Sequence, residues 1–390
     1  MCMMCRSLAR ARIIGLAKGF RLLDRIRAGE PAERALTNWA RGARYAGSKD
    51  RAALRDHVFS VLRCWRSCAA RGGGADGRAL MLGSLRGQGI DPDEIFTGEG
   101  HAPARLTEAE RVAGVPDGTA ARDLPDWLWP QFEASLGPTA EAAAAALRLR
   151  APIMLRVNAR RATREAARLA AEGVVAQPVD IAKTALQVMD GERKITSSQC
   201  YVEGWIELQD GSSQAAMEAL EVPEGARVLD YCAGGGGKAL ALAARVDGAF
   251  FAHDVAPQRM RDLPLRAARA GAEVCLVTQP EGLFDVVLCD APCSGSGTWR
   301  RSPEAKWALT PARLTELTEI QRQILSEAAS LIASGGLLAY ATCSVLKEEN
   351  QEVINRFLSD NPEWLLRDSR HWPISETGDG FYLAQLRRVS

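Results

Sequence analysis

No uninterrupted apolar stretch in this chain reaches the roughly 18 residues that a membrane span needs. Met1 to Gly15 carries arginine but has neither an apolar core nor a cleavage site, so a signal peptide is not expected and a cytoplasmic setting is. No internal repeat is visible. The ten cysteines are scattered through a long chain, the pattern of free thiols and not of a disulfide framework. Cys2 and Cys5 resemble half a zinc site, but Cys64 and Cys68 have the wrong spacing to complete it, and no metal is expected. Net charge is almost absent, at +1. That balance conceals an asymmetry: residues 1–71 hold 16 Lys and Arg against 5 Asp and Glu, and the remainder holds 33 against 43. A basic module on an acidic remainder is the pattern of a nucleic-acid-binding appendage joined to a catalytic domain. The plainer alternative is a set of helices with solvated arginine faces.

At 390 residues the chain is long enough for two or three domains, and its 47% apolar and 25% charged residues are those of an ordinary globular protein. Ile13, Leu16, Phe20, Leu23 and Ile26 recur at helical spacing, as do Leu54, Val58, Val61, Leu62 and Trp65. Gly29-Glu30-Pro31, Gly47-Ser48-Lys49-Asp50 and Gly72-Gly73-Gly74 break the pattern. With an alanine-rich helix over 139–150, these predict an all-α domain over residues 1–145. Strands over 153–158, 174–179 and 205–209, with a helix over 163–172, predict a small α/β connector over residues 146–215. From Arg227 onward β and α segments alternate, which predicts a parallel, doubly wound α/β sheet over residues 216–390.

Two cysteine segments follow separate strand-like runs in that last domain. One is Phe284-Asp285-Val286-Val287-Leu288-Cys289 leading into Asp290-Ala291-Pro292-Cys293-Ser294-Gly295-Ser296-Gly297; the other is Leu337 to Tyr340 leading into Thr342-Cys343-Ser344. A strand that ends in such a turn presents its thiol at the carboxyl edge of the sheet, where open α/β folds bind ligands. A strand-end cysteine is more often a small buried hydrophobe, and Cys275 and Cys289 are expected to be core residues of that kind. A third loop, Asp230-Tyr231-Cys232-Ala233-Gly234-Gly235-Gly236-Gly237-Lys238, lets backbone pass close to a ligand at a helix terminus. A nucleoside-triphosphate loop would need Gly at position 232 and Ser or Thr at 239, where Cys and Ala stand. A dinucleotide and S-adenosylmethionine both remain compatible with the loop, since Asp254 lies where either would have its ribose held. The two cysteine segments favour the methyl donor, because a carbon methyltransferase uses two thiols and a nicotinamide enzyme has no evident use for them.

Taken together, these segments resemble the Sun/NOL/NOP family of RNA cytosine-5 methyltransferases. The likeness rests on the Asp230 to Lys238 loop, Asp254 with Arg259, and the Asp290 to Gly297 motif running into Arg300-Arg301-Ser302-Pro303-Glu304-Ala305-Lys306-Trp307. It rests also on Thr342-Cys343-Ser344 followed by Glu348-Glu349-Asn350. Arg44-Tyr45-Ala46-Gly47-Ser48-Lys49-Asp50-Arg51 looks like the NusB-like RNA-binding domain of the bacterial branch that modifies 16S ribosomal RNA. The resemblance implies a Rossmann-like methyltransferase sheet, S-adenosylmethionine as cofactor, and 16S ribosomal RNA or a small-subunit particle as partner, with a monomer expected. It implies that Cys343 attacks carbon 6 of the base and that Cys293 assists breakdown of the adduct, with Asp290 and Lys238 lining the site. Cys232, Ala233, Gly234, Gly235, Gly236, Gly237, Lys238, Asp254, Arg259 and Asp290 would hold the donor. The pair Arg300-Arg301 reads as phosphate contacts, with surface charge as the plainer alternative.

Two departures from the family pattern bear on the donor. The family usually has Ala-Ala-Pro-Gly-Gly-Lys where this loop reads Ala233-Gly234-Gly235, and it usually has an adenine-contacting acid where Val277-Thr278-Gln279-Pro280 stand. Two other readings stay open on the sequence: a non-catalytic RNA-binding or ribosome-assembly factor with a degenerate donor pocket, and a DNA cytosine methyltransferase whose attacking thiol sits in the Pro-Cys segment.

Overall fold

The computed structural model describes residues 18–43, 46–112, 114–170 and 173–389. The positions of Cys2, Cys5, Ile13, Leu16, Arg44 and Tyr45 lie outside them. The chain folds into two compact units, one of residues 1–130, 138–150 and 299–308, the other of residues 131–137, 151–298 and 309–390.

The first unit is helical. Leu54, Val58 and Leu62 form one face of the helix Ser48–Arg63 and bury against Leu80, Met81 and Leu85 of the helix Gly77–Gly87. The helix Trp65–Gly72 approaches that second helix so closely that a Cβ at Gly83 would lie 1.8 Å from the Cys68 carbonyl oxygen. The alanine-rich helix runs over Ala140–Leu147. The segment 299–308, far away in sequence, is stitched into this unit by hydrogen bonds. Trp307 Nε1 donates to the Leu62 carbonyl at 2.7 Å, Lys306 Nζ to that of Arg63 at 3.1 Å, and Ala32 N to the Glu304 carboxylate at 2.7 Å.

The second unit holds two sheets. A four-stranded antiparallel sheet has the order β2-β3-β1-β4, with β1 Ile153–Val157, β2 Val175–Pro178, β3 Ala185–Asp190 and β4 Ile206–Leu208. A seven-stranded sheet has the order β10-β11-β9-β8-β5-β6-β7. Its strands are β5 Ala226–Asp230, β6 Gly248–Ala252, β7 Val274–Leu276, β8 Phe284–Asp290, β9 Ile332–Thr342, β10 Trp364–Trp372 and β11 Phe381–Arg388. β5 to β9 are parallel. Their central members are unbroken apolar runs, as strands covered on both faces must be. Val286 to Cys289 and Leu338 to Ala341 have no exposure. Strand order reverses between β5 and β8, so the cleft at their carboxyl ends is the topological switch point.

Three features depart from the sequence expectation. β3 and β10 lie outside the expected strands; β10 is an edge strand in which Trp364-Leu365-Leu366 gives way to polar residues, and its Arg367 and Arg370 are exposed. β10 and β11 run antiparallel, so the sheet is mixed at that edge. Cys275, expected in the core, is exposed, because β7 is the opposite edge and only three residues long; Cys289, on central β8, is fully buried as expected.

Candidate active site

β8 and β9 pair in parallel with Asp290 beside Ala341. Each chain then turns at its carboxyl end, and the two turns meet. Gly297 N donates to the Cys343 carbonyl at 2.9 Å, and Ala291 N to that of Ala341 at 2.9 Å. Cys293 Sγ and Cys343 Sγ lie 3.4 Å apart, within thiol hydrogen-bond distance, and both side chains keep some exposure.

Nearby charges distinguish the two sulfurs. The Cys293 thiol hydrogen bond lowers the Cys343 pKa, and Lys238 and the Thr298 hydroxyl add to that against the opposing pull of burial and Asp290. The same hydrogen bond raises Cys293, with burial and the Glu349 charge pushing the same way. The pair is therefore polarised toward negative charge at Cys343, the direction that favours a thiolate, the form of cysteine that attacks carbon.

Lys238 Nζ donates to Asp290 Oδ2 at 2.6 Å. Burial acts to lower the Lys238 pKa, but the charge and hydrogen bond of Asp290, with Asp230, outweigh it and hold the ammonium charged. Asp230 ends β5 and is buried; Ala239 N donates to its Oδ2 at 3.2 Å. Burial, then the Asp290 charge, push its pKa up to about 7. Its Oδ1 has no partner among the described residues. A buried carboxylate oxygen left unmatched is costly and fits a donor group from a bound ligand.

The glycine loop sits above Asp230. Gly234 and Gly236 adopt φ of +50° and +75°, the left-handed region that favours glycine. A Cβ at Gly236 would also lie 2.1 Å from Leu263 Cδ1, whereas at Gly237 the nearest atom is 3.8 Å away. Gly236→Ala is expected to weaken ligand binding at the loop by about tenfold, from a backbone cost of roughly 1–2 kcal/mol, while Gly237→Ala leaves it near wild type. Calorimetric titration with S-adenosylmethionine checks both. The loop is braced from β1 by buried Arg156, whose Nη1 donates to the Gly237 carbonyl at 2.8 Å. On its far side Gly234 N donates to Asp254 Oδ2 at 2.9 Å, and the Arg259 guanidinium lies 3.1 Å from the same oxygen. Ala256 N occupies Oδ1 at 2.9 Å, so Asp254 also caps the turn that follows β6.

The predicted residues thus form two clusters joined by the loop: Cys293, Cys343, Asp290 and Lys238 at β8 and β9, and Gly234 with Asp254 and Arg259 at β6. Cys232, Ala233 and Gly235 lie along the backbone between them.

Residue patterns alone missed the frame beneath the cysteines. Glu349 has no exposure. Its carboxylate accepts from Ser294 N at 2.7 Å, Ser294 Oγ at 2.5 Å, Ser344 Oγ at 2.5 Å and Gln321 Nε2 at 3.1 Å. Asn350 accepts from Thr342 Oγ1 at 2.6 Å and donates to the Ser344 carbonyl at 3.0 Å. Both cysteines are followed by a serine, and both serines close on the same acid. The Glu-Glu-Asn triplet after the second turn was the only signal for this.

The sequence profile of the 16S rRNA methyltransferase RsmB/F family matches residues 217–387, and that of its associated ferredoxin-like domain matches residues 124–193. A ribosomal RNA small subunit methyltransferase B from Sodalis glossinidius is 34% identical over 313 residues, covering 73% of this chain and 69% of the relative. One of that name from Citrobacter koseri is 33% identical over 283 residues, covering 67% and 66%. The chain thus spans about two thirds of the length of these relatives. Among solved structures, a protein designated PH0851 matches 96% of this chain with 99% of its own, at a TM-score of 0.75 and 23% identity, which supports the fold. The sulfur pair, the braced glycine loop and these likenesses converge: the chain belongs to the 16S rRNA methyltransferase RsmB/F family.

Proposed function

We propose that this chain transfers a methyl group from S-adenosylmethionine to carbon 5 of a cytosine in 16S ribosomal RNA, through a covalent adduct on Cys343. The observation that carries the proposal is the pair of sulfurs 3.4 Å apart at the ends of β8 and β9, with the Cys343 pKa lowered and the Cys293 pKa raised by their surroundings. Carbon 5 of cytosine is a poor nucleophile. Addition of the Cys343 thiolate to carbon 6 makes the ring an enamine whose carbon 5 can accept the methyl group, which the sulfonium donor supplies. Loss of the carbon-5 proton to a base then returns electrons to the ring as the bond from carbon 6 to sulfur breaks and the thiolate leaves. Cys293 stands where it can assist that release. Asp290, held by Lys238 and acting on Cys343 through its charge, is assigned to orient the base. The buried, unmatched Asp230 oxygen and the left-handed glycine turn fit a donor that carries an ammonium group.

The helical unit is read as the RNA-holding module, an assignment supported by the excess of Lys and Arg in residues 1–71. The target base must leave its stack to reach the thiolate.

The test is methyl transfer from labelled donor to a 16S ribosomal RNA fragment, followed by bisulfite sequencing. One protected cytosine, and donor binding by titration, are expected. A chain that bound RNA but neither bound the donor nor modified any cytosine would be the non-catalytic assembly factor instead.

A further inference from the structure

The helical unit carries a polar cavity that the chemistry above does not use. It measures about 430 Å³ and is lined by Arg55, Arg63, Arg148, Arg150 and Arg301, with Asp56 the one carboxylate among its lining residues. The five guanidinium groups come from three stretches of chain: the helix Ser48–Arg63, the residues that follow the helix Ala140–Leu147, and the 299–308 segment. Hydrogen bonds hold this convergence in place. Arg63 Nε donates to the Arg300 carbonyl at 2.7 Å, which fixes the backbone next to Arg301, and Arg148 Nη1 donates to the Ala121 carbonyl at 2.8 Å. Arg55 lies 5.0 Å over the Phe59 ring and pairs with Glu33. Burial lowers the Arg63 pKa and the Arg150 charge adds to that, against the opposing charges of Cys64 and Asp56.

Guanidinium groups do not deprotonate in proteins, so the cavity keeps its charge at any physiological pH. A concave wall of one sign focuses the field and draws in anions. The planar fork of arginine matches two oxygens of a phosphate group at once. A polyphosphodiester partner is favoured over an acidic protein because two of these arginines, Arg55 and Arg63, belong to the stretch 1–71 in which Lys and Arg outnumber Asp and Glu.

We propose that this cavity seats backbone phosphates of the RNA substrate, with Arg63, Arg148, Arg150 and Arg301 as its phosphate-binding side chains. The proposal rests on the RNA reading above. Arg301 lies eight residues after Cys293, on the segment continuous with that motif, so the sequence that carries the release thiol also carries a phosphate ligand.

The experiment uses the full chain with Arg150 and Arg301, both exposed, replaced together by alanine, and in a second protein by lysine. Binding of a fluorescent 16S ribosomal RNA fragment is followed by anisotropy across a salt series. For the alanine pair, affinity is expected to fall at least about tenfold, and the slope of log affinity against log salt to flatten by about 0.7–0.9 for each phosphate no longer neutralised. The lysine pair keeps the charge without the fork and is expected to recover the slope but only part of the affinity. Thermal midpoint and donor titration, unchanged in both, show that the fold is intact. Wild-type affinity and slope in the alanine pair overturn the proposal while leaving the methyltransferase reading standing. Competition by polyglutamate as effective as that by RNA overturns the phosphate assignment in favour of an acidic-protein site. A wild-type chain that neither binds the fragment nor forms an adduct with it overturns the RNA reading and this proposal together.

Discussion

Replacing Cys343 by alanine is expected to abolish the protein–RNA adduct and to lower methyl transfer by at least about three orders of magnitude, as loss of a covalent nucleophile does. The trapping substrate is RNA carrying 5-fluorocytosine, whose carbon-5 fluorine cannot be removed as a proton and so arrests the wild-type enzyme at the adduct. Cys293→Ala has the opposite signature. It is expected to form the adduct on ordinary cytosine and hold it, so that a shifted band persists on a denaturing gel after donor is consumed. The two sulfurs are too close to be separated by position alone, and their surroundings decide the roles. Lys238 and the Thr298 hydroxyl favour negative charge at Cys343, whereas Glu349 opposes it at Cys293. Because the Cys293 thiol helps hold the Cys343 pKa down, Cys293→Ala is also expected to move the acid limb of adduct formation to higher pH. The sign follows directly: removing a donor to the thiolate makes the thiolate harder to form. Adduct formation that survives Cys343→Ala and is lost in Cys293→Ala would exchange the two roles, as in the DNA cytosine methyltransferase reading.

Glu349→Ala is expected to have the second largest effect. The carboxylate receives four hydrogen bonds, from Ser294 N, Ser294 Oγ, Ser344 Oγ and Gln321 Nε2, with no exposure to water that could replace them. Each buried donor left unmatched costs about 1–3 kcal/mol. Rotation of the two hydroxyls toward other acceptors recovers part, so a net loss of roughly 3 kcal/mol is expected. The catalytic loss should be larger than the stability loss suggests, because the acid ties the turn of Cys293 to the turn of Cys343. A displacement of about 1 Å at reacting atoms can cost a hundredfold in rate. Glu349→Gln keeps the shape and one acceptor oxygen, and is expected to fall between wild type and alanine in both thermal midpoint and adduct rate. Glu349 acts through the sulfurs it positions, so the readout that separates it from a merely structural residue is the pH profile of adduct formation. Removing a negative charge beside Cys293 eases its thiol toward the ordinary range, and the profile should shift in the glutamine variant even where the fold persists. A glutamine variant with wild-type stability, rate and pH profile would show that the four hydrogen bonds do not position the thiols.

The chain order alone determined a large part of this protein. Unbroken apolar runs such as Val286 to Cys289 have one comfortable place, the centre of a parallel sheet covered on both faces. Gly234 and Gly236 sit where the backbone turns left-handed, and turn residues after β8 and β9 place both thiols at the carboxyl edge. These are local consequences of side-chain size, branching and backbone freedom, so a reader of the sequence can reach them. What pairs with what is not local. β10 is mixed in character and gains its place by hydrogen bonding along β11 and by burying Trp364, and exposed Cys275 differs from buried Cys289 because β7 is an edge. The segment after the Cys293 motif joins the helical unit through bonds to residues more than 200 positions away. Which sulfur is pushed toward the thiolate, and that Glu349 fastens both turns, depend on distances of a few ångströms between residues remote in sequence. Electrostatic fields and buried hydrogen bonds act through space, and only the folded chain brings their sources together.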